Sequence, residues 1–375
     1  MLPKTLTLLV TYQCTAACSQ CCFGCTPEKK GRIPQDRILS YIDQAAQFGT
    51  VLNVVFSGGE CFLLGDDLVE AVGRATAHGL STRCVTNAYW AVTLEAAQKR
   101  LQPLVDAGLR EINISTGDFH LEYVPADRVR NGAIAAYAAG LGFTMMVETR
   151  SERSFTKEVL LQEPVFRKIH ETDPEGMRIR ENVWIPMEEG CQINHDAVHF
   201  RNRDNPHLMK GCHNILRNMV ITPDQDYVVC CGLTMDQIPE LHIADAARKP
   251  LLDIASHADE DLLRQWIRLD GPEHIIEYLQ SKDPTLAHNW NRVHPCENCR
   301  DIFHRPDLRE AVRKFLPEIE GDIALRYHLL SAAEGFLQEL GADVQEVGMA
   351  DGLTTKLTAK KPMPGAVVPT NTLNR

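Results

Sequence analysis

C-T-A-A-C-S-Q-C at residues 14–21 directly follows an apolar, strand-like run over residues 6–12. Its three cysteines, Cys14, Cys18 and Cys21, are spaced C-x3-C-x2-C on one short loop. Three thiolates can bind three irons of a [4Fe–4S] cube and leave the fourth iron without a protein ligand, whereas a four-cysteine cluster is closed and mainly transfers electrons. The spacing therefore predicts an iron–sulfur centre at which a small molecule binds and is reduced.

A second motif follows the next apolar run. Ser57, Gly58, Gly59 and Glu60 come directly after the strand-like residues 51–56. Two glycines allow another group to approach the backbone closely, and a carboxylate accepts hydrogen bonds from an ammonium group. The alternatives are a zinc site or buried thiols, although zinc sites usually combine two C-x-x-C-like halves.

Together the two motifs resemble those of the radical S-adenosylmethionine (SAM) superfamily, over roughly residues 1–190. The resemblance implies a [4Fe–4S] cluster on Cys14, Cys18 and Cys21 whose open iron chelates SAM, with the glycine turn beside the methionine group. The aromatic residue that the family usually has before the third cysteine is Gln20 here. Cys22 and Cys25 follow at once, so Cys22 is an alternative to Cys21 as a ligand.

The first half of the chain alternates between strand and helix patterns. Short runs rich in Val, Ile and Leu predict strands over residues 6–12, 52–56, 82–86, 111–115, 144–148 and 178–185. Amphipathic segments between them predict helices over residues 33–48, 66–78, 94–107, 126–139 and 156–169. Six β/α units predict an α/β fold, a partial (β/α)6 TIM-like barrel as in the resembled family, with a flavodoxin-like open sheet as the alternative.

We expect three regions: a core over residues 1–190, a β-hairpin and helical domain over residues 191–340, and an irregular tail over residues 341–375. The hairpin is predicted at residues 219–222 and 227–231, around Pro223-Asp224-Gln225-Asp226.

A second cysteine set surrounds this hairpin. Its members are Cys212, Cys230, Cys296 and Cys299. The arrangement resembles the Twitch or SPASM extension of radical SAM enzymes and implies a second, auxiliary [4Fe–4S] cluster. Cys231 and Cys191 are alternative ligands, and zinc is an alternative occupant. The family usually has a glycine separated from the second cysteine by four residues, and Gln225 stands at that position here.

The resemblance also implies roles for polar residues at strand ends. The residues expected to bind SAM are Ser57, Gly58, Gly59, Glu60, Asn87, Asn113, Ser115, Thr116, Glu148 and Arg150. Asp118 and His120 are candidate acid–base groups, and Cys61 is a candidate hydrogen-atom donor. A polar strand end that only caps the sheet is the alternative for Asn113, Ser115 and Thr116. The alternatives are a surface loop for Asp118 and His120, an ion pair for Glu148 and Arg150, and a core position for Cys61.

The composition of the chain limits the kinds of binding partner and compartment that we expect. The 375 residues are 44% apolar and 24% charged, with a net charge of −11, so we expect no nucleic-acid partner. No apolar run is long enough for a membrane span and no secretory signal is apparent. Thirteen cysteines without such a signal fit metal clusters in a reducing cytoplasm.

The predicted reaction follows from the resemblance. It implies that an external one-electron reductant, of flavodoxin or ferredoxin type, supplies the cluster, and that SAM is cleaved to a 5′-deoxyadenosyl radical that abstracts a hydrogen atom from the substrate. A ribosomally made precursor peptide is the preferred substrate, modified by a crosslink, thioether or epimer. Oxidation of a small molecule such as an amino sugar alcohol is the first alternative, and a non-catalytic iron–sulfur electron carrier or sensor is the second.

Overall fold

The computed structural model describes residues 3–185, 187, 194–339, 342–345 and 356–359. Contacts divide the chain into two compact units, Met1–Ala324 and Leu325–Arg375. The first unit is built on one sheet of nine strands, in the order β6-β5-β4-β3-β2-β1-β7-β8-β9. These strands are β1 Thr5–Leu9, β2 Asn53–Ser57, β3 Ser81–Thr86, β4 Glu111–Thr116, β5 Gly142–Thr149, β6 Met177–Val183, β7 Asn218–Ile221, β8 Asp226–Val228 and β9 His242–Asp245.

Strands β1 to β6 are parallel and consecutive, and helices connect them. The helices of the chain are α1 Gln35–Ala46, α2 Asp66–Ala77, α3 Leu94–Asp106, α4 Asp118–Leu121, α5 Ala126–Ala138, α6 Lys157–Leu160, α7 Pro164–Thr172, α8 Leu251–Ala258, α9 Leu262–Lys282, α10 Pro295–His304, α11 Pro306–Phe315 and α12 Glu320–Glu339. The predicted α/β class is confirmed, and all six predicted strands lie within three residues of their predicted ends.

One helix prediction was wrong. Residues 156–169 form two helices, α6 and α7, instead of one. Thr156 caps α6 by accepting a hydrogen bond from the backbone N–H of Val159. Pro164 begins α7, since proline has no N–H to continue the preceding helix but suits the first position of a new one.

The two faces of the parallel sheet differ in chemistry. Ile114 of β4 is buried against Gly132 of α5, so its face packs on the helices. Because side chains alternate along a strand, Glu111, Asn113 and Ser115 of β4 lie on the opposite face. We call this second face, which also carries polar and charged residues of β3, β5 and β6, the inner face.

The predicted hairpin is present but does not form a sheet of its own. β7 pairs in parallel with β1, opposite the side on which β2 pairs, and β8 and β9 extend the sheet antiparallel. In the connecting turn Gln225 adopts φ +67°, the left-handed region that favours glycine. Its Oε1 accepts from Tyr41 Oη at 2.9 Å and Arg37 Nε at 3.1 Å. These bonds fix a turn in which the resembled family uses glycine.

The second unit contains the C-terminal part of α12 and a two-stranded antiparallel sheet, β10 Ala342–Gln345 with β11 Lys356–Ala359. These strands fall within the tail expected to be irregular, whose other residues lie outside the described ones. Within the described part of the chain, no helix is long and apolar enough to span a membrane.

Candidate active site

The loop after β1 brings its thiols close together. Burial raises the pKa of Cys14 to about 11 and that of Cys18 to about 12, and each of the two thiols is also affected by the charge of Cys21. The Cys25 thiol donates a hydrogen bond to Cys21, which lowers the pKa of Cys21 to about 6 and raises that of Cys25. The Cys25 backbone N–H also reaches Cys21 Sγ, at 3.4 Å.

A cavity of about 180 Å³ opens beside this loop, at the carboxyl ends of the parallel strands. Active sites of parallel β/α barrels are built at this end. Ten of the residues predicted to form the site line the cavity: Cys14, Cys18, Cys21, Ser57, Gly58, Gly59, Asn87, Ser115, His120 and Glu148. The loop after β1 and the ends of β2 to β5 therefore converge on one space.

The cavity's donor set fits an iron–sulfur cube. Among the described residues, no three Cys, His, Asp or Glu side chains are close enough to hold a single metal ion. A [4Fe–4S] cube does not require its thiolates to converge on one point, because each thiolate binds its own iron. The three neighbouring thiols along one wall of the cavity can each bind one iron, and the remaining space is left for a ligand of the fourth iron.

The glycine turn packs against the loop that carries the cysteines. A Cβ on Gly59 would lie 2.1 Å from the carbonyl oxygen of Gln13, and one on Gly58 would lie 2.5 Å from that of Thr11. The Gly59 N–H donates to Thr11 O at 2.6 Å, and the Glu60 N–H donates to Gln13 O at 3.0 Å. The glycines thus let the backbone after β2 pair with the backbone leading into the cysteine loop.

Glu60 is fully buried, and its carboxylate joins the ends of β2 and β3. It accepts from the N–H of Phe62 at 3.0 Å, the N–H of Asn87 at 2.9 Å and the hydroxyl of Thr86 at 2.8 Å. Asn87 in turn donates from Nδ2 to Thr15 Oγ1 at 3.0 Å and to Cys14 Sγ at 3.6 Å. Glu60 therefore supports the cysteine loop through Asn87, and its contact with the SAM ammonium group stays a prediction.

Glu60 makes a testable contribution to pH dependence. Burial raises its pKa from 4.5 to about 7, so the folded protein binds the proton more tightly than the unfolded chain. We expect the free energy of unfolding of the cluster-free protein to fall by about 3 kcal/mol as pH rises from 4.5 to 7. Urea unfolding at several pH values measures this, and Glu60→Gln should flatten the profile. An unchanged profile in the variant would contradict the assignment.

His120 and Glu148 form a hydrogen-bonded pair on the cavity wall. His120 Nδ1 contacts Glu148 Oε1, and the N–H of Phe119 donates to Glu148 Oε2 at 2.9 Å. The pair is largely buried, with side-chain exposures of 14% and 4%. Glu148 therefore orients the imidazole of His120, which also lies edge-on to Trp184 with ring centroids 6.3 Å apart.

Asp118 and Arg150 are engaged with each other instead of lining the cavity. Asp118 accepts from the N–H of Ser154 at 2.9 Å and of Phe155 at 2.9 Å. Arg150 Nη2 lies 3.4 Å from Asp118 Oδ2, and its guanidinium lies over the ring of Phe119. Their observed contacts hold α4 to the loop after β5.

Three other predicted residues, Cys61, Thr116 and Asn113, do not line the cavity. Cys61 is fully buried and its thiol donates to Val85 O at 3.2 Å. Thr116 is also fully buried, and both Thr116 Oγ1 and Asn113 Oδ1 are buried with no hydrogen-bond partner among the described residues. These positions place Cys61 in the core, while Asn113 lies on the inner face below Ser115.

The apolar part of the cavity wall was not predicted from the sequence. Phe23 and Trp184 line the cavity, as does Gln20, whose side chain is 3% exposed. Trp184 follows β6, and this position at the carboxyl end of a strand could have indicated that it lines the cavity. Gln20 accepts from Ser19 Oγ at 2.9 Å and occupies the position where the resembled family has an aromatic ring.

The second cysteine set comes together around the hairpin. A Cβ on Gly232 would lie 2.9 Å from Cys296 Sγ and 3.1 Å from Cys230 Sγ, so both sulfurs lie beside this glycine. Burial, followed by the charge of Cys212, raises the pKa of Cys296 to about 12. Cys296 and Cys299 are one turn apart on α10 and therefore share a face of that helix.

Cys231 points elsewhere. Its thiol hydrogen-bonds with Thr7 of β1, and its pKa is raised chiefly by burial. The pKa of Cys230 is raised by burial and by the charges of Cys212, Cys296 and Cys299. The remaining alternative ligand, Cys191, lies outside the described residues.

Sequence comparisons relate part of the chain to known proteins. Residues 8–139 match the family described as Radical SAM superfamily. A protein of Bacillus subtilis (strain 168) named "Putative peptide biosynthesis protein YydG" is 23% identical over 131 residues, which are 35% of this chain and 41% of the relative. The chain thus matches about two fifths of the length of this curated relative.

Three solved structures resemble the chain at low identity. BtrN in complex with AdoMet and 2-DOIA has a TM-score of 0.41 at 13% identity, covering 74% of this chain and 90% of BtrN. SuiB of Streptococcus suis bound to S-adenosylmethionine has a TM-score of 0.39 at 15% identity, covering 68% and 65%. The anSMEcpe structure with bound AdoMet and Cp18Cys peptide has a TM-score of 0.49 at 12% identity, covering 88% and 99%.

The family match covers residues 8–139, about a third of the chain, and this segment is similar to radical SAM domains. Enzymes of that superfamily contain a [4Fe–4S] cluster and use SAM, so these are the cofactors that the match indicates. The C-x3-C-x2-C loop and the glycine turn both lie within this matched segment.

Proposed function

We propose that the protein is a radical SAM enzyme that modifies a ribosomally made peptide. The observation that carries this is the convergence of Cys14, Cys18 and Cys21 with the glycine turn on one cavity. A cluster bound there, together with SAM, supplies a 5′-deoxyadenosyl radical that removes a hydrogen atom from the substrate. The peptide substrate is supported by the relative from Bacillus subtilis, whose printed name is that of a peptide biosynthesis protein.

The proposal gives most of the cavity-lining residues a specific role. The thiols of Cys14, Cys18 and Cys21 hold the cluster, and Ser57, Gly58, Gly59, Asn87 and Ser115 line the space for SAM. Phe23 and Trp184 exclude water from it, which protects a radical from side reactions. His120, oriented by Glu148, is placed to accept a proton from the substrate at Nε2, while its Nδ1 is held by the carboxylate.

We further propose that Cys212, Cys230, Cys296 and Cys299 hold a second cluster. Support comes from the sulfurs of Cys230 and Cys296, which flank Gly232, and from the mutual charge effects within the set. The orientation of Cys231 toward Thr7 favours Cys230 as the ligand. Burial raises the pKa of these thiols, and binding of their thiolates to the irons of a cluster would offset that rise.

The peptide substrate can be tested directly. The reconstituted protein would be incubated with SAM and dithionite, together with peptides encoded by short reading frames that neighbour its gene. We expect one such peptide to change mass or stereochemistry, and deuterium from its labelled residues to appear in 5′-deoxyadenosine. Deuterium transfer from an amino sugar alcohol, with none from any peptide, would instead favour the small-molecule oxidase.

The second cluster gives a separate prediction. Cys299→Ala should lower the iron content, because the auxiliary cluster would lose one of its four thiolate ligands. SAM cleavage should persist, since the first cluster is untouched. Iron analysis and a 5′-deoxyadenosine assay measure both quantities, and Cys231→Ala is the matched control that should keep its iron. Full iron content in Cys299→Ala would contradict the auxiliary cluster.

A further inference from the structure

The inner face of the sheet carries more positive than negative charge beneath the cavity. Arg83 of β3 lies opposite Glu111 of β4 in the strand register, with Arg83 Nη2 3.1 Å from Glu111 Oε2. Arg178 of β6 reaches the other oxygen of the same carboxylate, at 3.1 Å from Glu111 Oε1. Two guanidinium groups therefore share one carboxylate, within a chain whose net charge is −11.

A third arginine lies one step nearer the cavity. Arg180 follows Arg178 by two residues on β6 and so faces the same side. Within the described part of the chain, no hydrogen bond or ion pair is found for Arg180, which is partly buried. We call Arg83, Arg178 and Arg180 the arginine cluster.

The strand register connects the arginine cluster to the cavity. Arg83 precedes Val85 on β3, and Glu111 precedes Ser115 on β4 by two alternations. Val85 and Ser115 both line the cavity. Gly142 of β5 lies opposite Glu111 and has no side chain, and an added Cβ there would make ordinary contacts with Arg110 O at 3.7 Å and Glu111 Cγ at 4.0 Å.

Several polar atoms of this region are buried and unsatisfied by the described residues. Nε of Arg83 and Nε of Arg178 have no hydrogen-bond acceptor, and Asn113 Oδ1 has no donor. Asn113 and Arg178 flank Thr144 in one row of the register. Buried polar groups are nearly always paired with protein, water or a ligand, and a ligand with a carboxylate and an N–H close to it would pair these donors and this acceptor.

We propose that the arginine cluster binds a carboxylate of the peptide substrate, with Asn113 accepting a hydrogen bond from an adjacent peptide N–H. The carboxylate belongs either to an acidic side chain or to the peptide's C-terminus, and both accept bidentate hydrogen bonds from guanidinium groups. This inference rests on the proposed peptide-modifying function and names the chemistry of its substrate. Glu111 occupies part of the site in the free protein and competes with the incoming carboxylate.

Three tripeptides test the proposal on the reconstituted holoenzyme with SAM. The probes are acetyl-Ala-Glu-Ala-amide, acetyl-Ala-Gln-Ala-amide and acetyl-Ala-Gln-Ala with a free C-terminal carboxylate, titrated by saturation-transfer NMR. At least one charged probe should bind about tenfold more tightly than the neutral one, since ~1.4 kcal/mol is a modest gain for charge-assisted hydrogen bonds. The two charged probes distinguish a side-chain carboxylate from a terminal one.

Substitutions distinguish a carboxylate-binding site from a purely structural ion pair, because the two predict different changes in probe binding. Arg178→Ala should remove the preference for charged probes, whereas Glu111→Gln should strengthen their binding several-fold because it frees two guanidinium groups. Arg130→Ala is the matched control, with the same 39% side-chain exposure as Arg83 and a position on α5. Its probe binding should not change.

The outcomes separate this inference from the proposed reaction. Equal binding of all probes, no binding of any, or weaker binding to Glu111→Gln would overturn the carboxylate site. Formation of 5′-deoxyadenosine is assayed in the same preparation. A preference for charged probes without deoxyadenosine would support the carboxylate site and overturn the reaction instead.

Discussion

Cys18→Ala is expected to abolish 5′-deoxyadenosine formation and to lose about four irons per chain. Cys18 lines the cavity between Cys14 and Cys21, and the charges of both neighbours affect its thiol. Two remaining thiolates would not retain a cube that three hold. Iron and sulfide analysis after anaerobic reconstitution, followed by chromatography of the SAM products, measures both losses.

Cys84→Ala is the control for this variant. Cys84 is fully buried on the helix-facing side of β3 and does not line the cavity. Its loss should lower stability by roughly 1 kcal/mol, as a small core truncation does, while iron content and SAM cleavage persist. Normal iron and deoxyadenosine in Cys18→Ala would show that the cysteine loop does not hold the catalytic cluster, and would direct attention to Cys22 and Cys25.

Gly59→Ala is expected to damage the site through the backbone. Its Cβ would lie 2.1 Å from Gln13 O and 2.5 Å from Gln13 C, and neither atom can move away by changing a rotamer. Overpacking that forces the backbone to shift costs about 3 kcal/mol. The shift would separate the glycine turn from the cysteine loop, so SAM affinity should fall by more than tenfold.

Urea unfolding of the cluster-free protein and SAM titration of the reconstituted protein measure these two effects. Gly73→Ala is the matched control, since an added Cβ there has its nearest contact at 4.0 Å, from Ala107 Cβ. Inside α2 this change should stabilise the protein by up to about 1 kcal/mol. Unchanged stability and SAM affinity in Gly59→Ala would mean that the turn is not required to approach the cysteine loop.

Local signals in the sequence were enough for the parallel strands and for the cysteine loop. Strand runs bounded by turn residues located β1 to β6, and residues at their carboxyl ends were bound to meet because parallel strands share one edge. Ser57, Ser115 and Glu148 follow this rule and line one cavity. The same rule did not separate them from Arg150, whose side chain turns to Asp118.

Contacts between distant parts of the chain could not be predicted in the same way. The pairing of β7 with β1 joins residues 218–221 to residues 5–8 and depends on the packing of the whole unit. Glu60 is predicted to bind SAM, and that prediction stands untested. Its three hydrogen bonds were not predictable, because their donors come from a turn and a strand end that only the fold brings together. The inner-face pairing of Arg83 and Arg178 with Glu111 likewise required the strand register.

The most direct test of the central claim is anaerobic reconstitution of the full chain, with iron and sulfide counted and 5′-deoxyadenosine assayed after addition of dithionite and SAM. We predict deoxyadenosine together with about eight irons per chain, as expected for two cubes. Failure of an iron-loaded sample both to bind SAM and to form deoxyadenosine would contradict the radical SAM function and favour an iron–sulfur electron carrier or sensor.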